Sequence, residues 1–296
     1  MKYGDYFSEK RRLIELALER YLPGEGEYPP LIHEAMRYSV LSGGKRLRSI
    51  LVIAAAEAVG KEGERVLPAA CAIELIHTYS LIHDDLPALD NDDYRRGEPS
   101  SHKKFGEAIA ILAGDALLTL AFWLIAKNAE EPGIRSESVL QVINEVGSSA
   151  GTFGMIGGQV VDLECAGKDP DPPTLQYIHT HKTGSLICAS LRSGAILAES
   201  SEDELNSLTQ YGERIGLAFQ IVDDILDLDG DEAKMGKPKG SDLAAKKLTY
   251  PSVYGLSESR ERARNLVEEA VSFLKGFDSK ADPLREMARF ISERSY

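Results

Sequence analysis

The sequence predicts an all-α fold, and three observations carry that prediction. Apolar residues recur at helical spacing along most of the chain, proline and glycine interrupt the pattern, and nothing alternates like a strand over a useful length. Ser8 to Tyr21, Leu31 to Leu41, Leu47 to Val59 and Glu64 to Asp85 hold the first helical patterns, with Pro23, Pro29 and Pro30 dividing the opening pair. Glu107 to Ala129 and Ser136 to Gly147 follow, separated by Pro132 and Gly133. Pro170 to Pro173 precede Thr174 to Ala198, and Glu202 to Leu228 comes next. Glu64 to Asp85 and Thr174 to Ala198 are apolar on more than one face, which suits the middle of a bundle. Charged residues inside those segments are therefore the ones to explain.

Composition narrows the classes of function. The chain has 296 residues, 43% of them hydrophobic, and a formal charge of −13. That is globular, long enough for a large core, and expected to form a single domain over 1–296. An acidic surface argues against nucleic acid as a partner, because phosphate-backbone binding needs basic charge. Cys71, Cys165 and Cys188 are odd in number and lack metal-ligand spacing, so they read as small core residues. Met1 to Glu15 has no apolar signal region, and no apolar run approaches the ~20 residues of a membrane span. A cytoplasmic protein is expected.

Two acidic clusters stand out. The first is Asp84, Asp85 and Asp90, followed by Asp92 and Asp93; the second is Asp223, Asp224 and Asp227, followed by Asp229 and Asp231. Pro87 should end the first helix and turn Asp90 back toward the same rim. The i, i+4 spacing of Asp223 and Asp227 puts two carboxylates on one helix face. A solvated face accounts for Asp229 and Asp231. It accounts poorly for the paired aspartates, which abut apolar stretches where uncompensated charge is costly. Oxygen-only clusters suit Mg²⁺ shared with a substrate phosphate, whereas zinc prefers His or Cys. Leu81-Ile-His-Asp-Asp-Leu and Ile221-Val-Asp-Asp-Ile-Leu echo each other, and suggest two clusters facing across a cavity.

Basic residues complement them. Gly43-Gly-Lys-Arg-Leu-Arg is a glycine-hinged turn from which Lys45 and Arg48 can reach one phosphate. Arg95 and Arg96 follow the first acidic cluster, Lys182-Thr-Gly lies in a central helix, and Lys237 and Lys247 follow the second cluster. His77 is two turns before Asp84 on the same face, which favours a phosphate contact, whereas His33 reads as a satisfied core histidine.

With these residues in view, the chain resembles the trans-isoprenyl diphosphate synthases. Ile73-Glu-Leu-Ile-His-Thr-Tyr-Ser-Leu-Ile-His-Asp-Asp-Leu-Pro-Ala-Leu-Asp, running into Asp92-Asp-Tyr-Arg-Arg-Gly, is similar to their first aspartate-rich motif, and Phe219-Gln-Ile-Val-Asp-Asp-Ile-Leu-Asp to their second. Gly43 to Arg48, Phe105-Gly-Glu, Ala113-Gly-Asp-Ala-Leu, Gly157-Gly-Gln, Lys182-Thr-Gly and Asp242-Leu-Ala-Ala-Lys-Lys fall in the family's order. The spacing between Asp85 and Asp90 matches the short-chain branch of bacteria and plants, with the bacterial farnesyl diphosphate synthases nearest.

The resemblance implies a bundle of roughly a dozen helices around a central cavity, and a homodimer. It implies that Asp84, Asp85, Asp90, Asp223, Asp224 and Asp227 hold Mg²⁺, with Mn²⁺ able to substitute. Arg95, Lys182, Thr183, Gln220 and Lys237 would contact the allylic diphosphate; Lys45, Arg48, His77 and Arg96 would hold isopentenyl diphosphate. Catalysis would then rest on Asp84, Asp85, Asp90, Lys182, Asp223 and Asp224. Ser49 where proline is usual and Asn91 where aspartate is common are departures that remove no ligand. In this family Ser80 and Tyr79, four and five residues before the first aspartate, line the floor of the chain pocket. Bulky Tyr79 implies a C15 product, with C20 the alternative. A class I terpene cyclase usually mixes Asn, Ser or Thr with Glu at its second metal site, unlike Asp223 to Asp227. A non-catalytic partner subunit would lack metal ligands, and none is missing.

Overall fold

Proline placement marks where several of the helices begin. The computed structural model describes residues 3–165, 167, 171–229 and 248–293. Helix α2 (Pro30–Leu41) opens on a proline, α4 (Leu67–Asp84) carries Pro68 in its first turn, and α9 (Pro172–Ile178) opens on two prolines behind an Asp171 cap. Proline suits these positions because the first helical N–H groups have no partner within the helix. The described residues are helical apart from connections and one short ribbon, in which Tyr94–Arg95 pairs antiparallel with Glu98–Pro99.

The chain forms two compact units, Met1–Ile53 with Glu62–Ile143, and Ala54–Lys61 with Asn144–Tyr296. In the first unit, α1 (Tyr3–Tyr21), α2, the start of α3 (Leu47–Val59), α5 (Ser101–Phe105) and α6 (Glu107–Lys127) accompany α4. Helix α4 buries 13 of its 18 residues, so it is the core helix its apolar faces foretold. It lies against α6, whose Ala110, Ala113, Gly114, Leu117, Ala121 and Leu124 form the buried face. Gly114 permits that approach: a Cβ there would sit 2.2 Å from Nε2 of His83.

Among the described residues, two stretches, Gly63–Asp84 and Glu107–Glu130, are long and apolar enough by length and composition to cross a bilayer, contrary to the sequence expectation. The first has 78% of its apolar window buried, as a core helix does; the second has 39%. Much of the remainder is an exposed α6 face bearing Ile111, Leu112 and Trp123.

Helix α7 (Ser136–Ala150) is divided between the units after Ile143, and in the second unit α8 (Met155–Cys165), α9, α10 (Ser185–Leu197), α11 (Glu202–Asp229), α12 (Tyr250–Tyr254), α13 (Leu256–Phe273) and α14 (Asp282–Glu293) continue the helical theme. The α11 helix lies between α10 and α13, and the Tyr211 hydroxyl donates to the Leu284 carbonyl of α14 at 2.7 Å. The continuous helix expected over Thr174 to Ala198 is interrupted by a π-helical turn at His179–Gly184. The extra residue in such a turn changes which side chains face inward, and such turns recur at functional sites. That turn carries Lys182 and Thr183.

Candidate active site

In the first unit, helix α4 ends at Asp84 and the chain doubles back. The Asp90 amide donates to the Asp84 carbonyl at 2.8 Å, and the Asn91 amide to the Leu86 carbonyl at 3.1 Å. Pro87 therefore sits in a turn that returns Asp90 to the helix end. Asp90 is exposed and Asp84 partly so, but Asp85 is 2% exposed. Arg95 pairs with Asp85, its Nε standing 3.0 Å from Oδ1, and its Nη2 reaches Asp92 at 3.3 Å. Burial pulls the Arg95 guanidinium down, but Asp85, Asp92 and Asp84 together raise it above its ordinary value.

The glycine-hinged loop lies in the same unit. Gly43 and Gly44 adopt φ of 91° and 131°, which glycine reaches without penalty. The Arg96 guanidinium occupies the space a Gly44 side chain would need, and Nη1 donates to the Gly43 carbonyl. Lys45 is exposed, while Arg48 and His77 are partly buried. Burial, then Arg48, Arg96, Arg95 and Arg46, hold His77 well below its ordinary pKa, so the ring is neutral at physiological pH.

Tyr79 is 5% exposed and packs edge-on to His83 with ring centroids 5.7 Å apart. Its buried hydroxyl has no hydrogen-bond partner among the described residues, and burial, with Asp84, pushes its pKa to about 12. The Ser80 hydroxyl turns back to the His77 carbonyl at 2.9 Å.

In the second unit, α11 presents Asp223 exposed and Asp227 half-buried on one face. Asp224 points elsewhere and is 3% exposed. Its Oδ1 accepts from Gln220 at 2.8 Å, and its Oδ2 accepts from the Tyr250 amide at 2.8 Å and faces His179 Nε2 at 3.3 Å. The Thr183 hydroxyl donates to Gln220 Oε1 at 2.8 Å, and Lys182 pairs with Asp162 at 2.7 Å. A cavity of about 100 Å³ is lined by Asp162, His179, Lys182, Thr183, Gln220 and Asp224. Lys237, with Lys247 and Asp231, lies outside the described residues.

Sequence reasoning missed Asp162 and His179. Asp162 had a usable signal three residues after Gln159, on the helix of the Gly157-Gly-Gln motif. His179, one turn before Lys182, had none beyond its neighbourhood. Gly158 explains the close contact of α8 with the π turn, since a Cβ there would lie 2.2 Å from the Lys182 amide nitrogen.

The polyprenyl synthetase family model matches residues 29–287, which spans both units. The chain belongs to this family. A geranylgeranyl diphosphate synthase of Cyanophora paradoxa is 47% identical over 98% of this chain and 96% of its own length. A farnesyl diphosphate synthase of Geobacillus stearothermophilus is 43% identical over 98% and 97%. Among solved structures, an FPP/GFPP synthase from Zymomonas mobilis in its apo form has a TM-score of 0.86 at 37% identity, covering 98% of each chain. As a polyprenyl synthetase, the protein is a prenyltransferase that condenses isopentenyl diphosphate with allylic diphosphates.

Proposed function

We propose that this prenyltransferase makes (E,E)-farnesyl diphosphate, a C15 product, from isopentenyl diphosphate and dimethylallyl or geranyl diphosphate. The observation that carries the product length is Tyr79, a bulky side chain buried in α4 just ahead of the first aspartate pair. An aromatic ring there would block growth of the chain beyond C15.

The allylic C–O bond breaks and its electron pair leaves with diphosphate. The isopentenyl double bond attacks the resulting cation, and the condensed cation loses a proton, with the released diphosphate as acceptor. Lys45, Arg48, His77 and Arg96 would hold isopentenyl diphosphate beside the cation. Arg95, Lys182, Thr183 and Gln220, with Lys237, would bind the departing diphosphate, stabilising charge as it develops.

The donor set fits Mg²⁺. Both motifs offer carboxylate oxygens, the hard donors Mg²⁺ takes, although among the described residues no three His, Cys, Asp or Glu side chains come together as a ready-made site. Mg²⁺ is commonly held by one or two carboxylates with water and substrate phosphate. Of the six aspartates expected to hold it, Asp84, Asp90, Asp223 and Asp227 would do so directly, whereas Asp85 and Asp224, buried against Arg95 and against Gln220 and the Tyr250 amide, would instead orient those partners. When bound, Mg²⁺ or Mn²⁺ would neutralise charge on the leaving diphosphate.

A single functional domain acting as a cytoplasmic homodimer completes the reading. The exposed Ile111, Leu112 and Trp123 of α6 suit burial against a second copy. A C20 product is the second reading, favoured by the higher identity of the geranylgeranyl synthase (47%) than of the farnesyl synthase (43%).

The test is product analysis with isopentenyl diphosphate and each allylic primer, with Mg²⁺ and with EDTA. A metal-dependent C15 diphosphate is expected. C20 would retain the chemistry and remove the role given to Tyr79. Cyclic products from farnesyl diphosphate would point to a terpene cyclase.

A further inference from the structure

Between Lys45 and Arg48 lies a cation that faces inward. Arg46 is 2% exposed and sits at φ 52°, a conformation uncommon for any residue but glycine. Its Nη1 donates to Oε1 of Glu74 at 3.0 Å, and its Nη2 to the Val40 carbonyl at 2.7 Å. Glu74 is 1% exposed. The Ser49 hydroxyl lies 3.1 Å from Glu74 Oε2 and 2.8 Å from the Ala70 carbonyl. The Arg46 carbonyl accepts from the Ile50 amide at 3.0 Å, starting α3. One buried ion pair thus joins the end of α2, the glycine loop, the first turn of α3 and the middle of α4.

Stability alone is a weak reason for such a pair. Removing two ions from water is expensive, and apolar residues of similar volume are often at least as stable. What the pair supplies is geometry. Lys45 and Arg48 flank Arg46, and His77 follows Glu74 by one turn of α4. Each end of the ion pair is therefore tied to residues that would hold isopentenyl diphosphate. Ser49 adds a contact that the proline usual at this position could not make, because proline has no side-chain donor.

We propose that Arg46 and Glu74, helped by Ser49, are positioning residues for isopentenyl diphosphate. They hold the loop so that Lys45 and Arg48 stand at a set distance from His77. The inference rests on the reading of this loop as the isopentenyl diphosphate site.

The experiment compares Glu74→Gln with the double variant Arg46→Met/Glu74→Leu, which replaces both ions with apolar groups and keeps the core filled. Steady-state KM is measured separately for isopentenyl and geranyl diphosphate, alongside the melting temperature. KM for isopentenyl diphosphate should rise about tenfold or more in both variants, while KM for geranyl diphosphate stays within about twofold. General loosening of the fold would not separate the two substrates. Arg46→Lys, which keeps the charge without the planar fork, should fall between the wild type and the double variant. Unchanged isopentenyl KM in the folded double variant, or equal shifts for both substrates, would overturn the proposal. So would loss of folding in both variants, which would make the pair a stability element. Lys45→Ala and Arg48→Ala separate the two layers of the argument. If they leave isopentenyl KM unmoved, the assignment of the loop fails and the positioning role with it. If they raise it while the Arg46 and Glu74 variants do not, positioning alone fails.

Discussion

Nε2 of His179 stands 3.3 Å from Oδ2 of Asp224, and both side chains are almost wholly buried. With the Tyr250 amide and Gln220 donating to it, Asp224 is tied into the interior of its unit, whereas its neighbour Asp223 is exposed. Deleting a buried acceptor strands its donors. Asp224→Ala should therefore cost about 2–4 kcal/mol in urea unfolding of the metal-free protein. Asp223→Ala, at an exposed position, should cost less than about 1 kcal/mol. Equal losses would show that the two aspartates do not differ as described.

Tyr79 allows size and polarity to be tested apart. Its hydroxyl is buried without a partner among the described residues, so Tyr79→Phe should leave stability unchanged or raise it by up to about 1 kcal/mol, with the same product. Tyr79→Ala should lengthen the product and cost about 3–5 kcal/mol from the cavity left behind. Chromatography of the dephosphorylated products decides the first point. A product of unchanged length from Tyr79→Ala would sink the pocket-floor argument.

Gly158 packs against backbone, and backbone cannot rotate away. A methyl group there would lie 2.2 Å from the Lys182 amide nitrogen, so Gly158→Ala must push α8 from the π turn. Lys182 and its partner Asp162 lie on opposite sides of that contact. We expect kcat/KM for the allylic substrate to fall by about 10²-fold, the scale of an ångström-sized misplacement. Kinetics within threefold of wild type would mean the turn tolerates the shift.

His77 gives a pH signature with a defined sign. Burial and the surrounding arginines lower its folded pKa below the ordinary 6.5, so the unfolded chain takes up the proton first. Its contribution to stability is fully present above pH ~6.5. It is lost as pH falls from there toward the lowered folded value, with a slope of at most about 1.4 kcal/mol per pH unit. Denaturation of wild type and His77→Gln across pH 5–7.5 should differ by that slope, which cancels the titration of the other histidines. Parallel curves would place His77 in an unperturbed environment.

Much of the architecture was readable in the chain. Helices α1 to α4, α6 and α11 stand where periodicity placed them, and α4 ends at the turn that contains Pro87. The omissions are of two kinds. Helix α14 was not anticipated although Leu284, Met287, Ala288 and Ile291 make an apolar stripe, so there the pattern was present and unused. The π turn at His179–Gly184 could not be foreseen. Nothing local distinguishes it, and it forms where Gly158 and Gly216 let neighbouring backbones approach.

By itself the sequence determined what repetition and short spacing can encode: an all-helical chain, two acidic motifs, a basic glycine loop and the family they signify. Which aspartate of each pair turns inward was decided by tertiary structure. Adjacent residues on a helix point about 100° apart, so the side that meets a core depends on neighbours distant in sequence. Asp85 is taken by Arg95 in the short ribbon beyond the helix end, and Asp224 by the Tyr250 amide, 26 residues on. Arg46 shows the same limit. In the sequence it is one more cation in a basic turn, and only the arrival of Glu74, 28 residues later, makes it part of the interior.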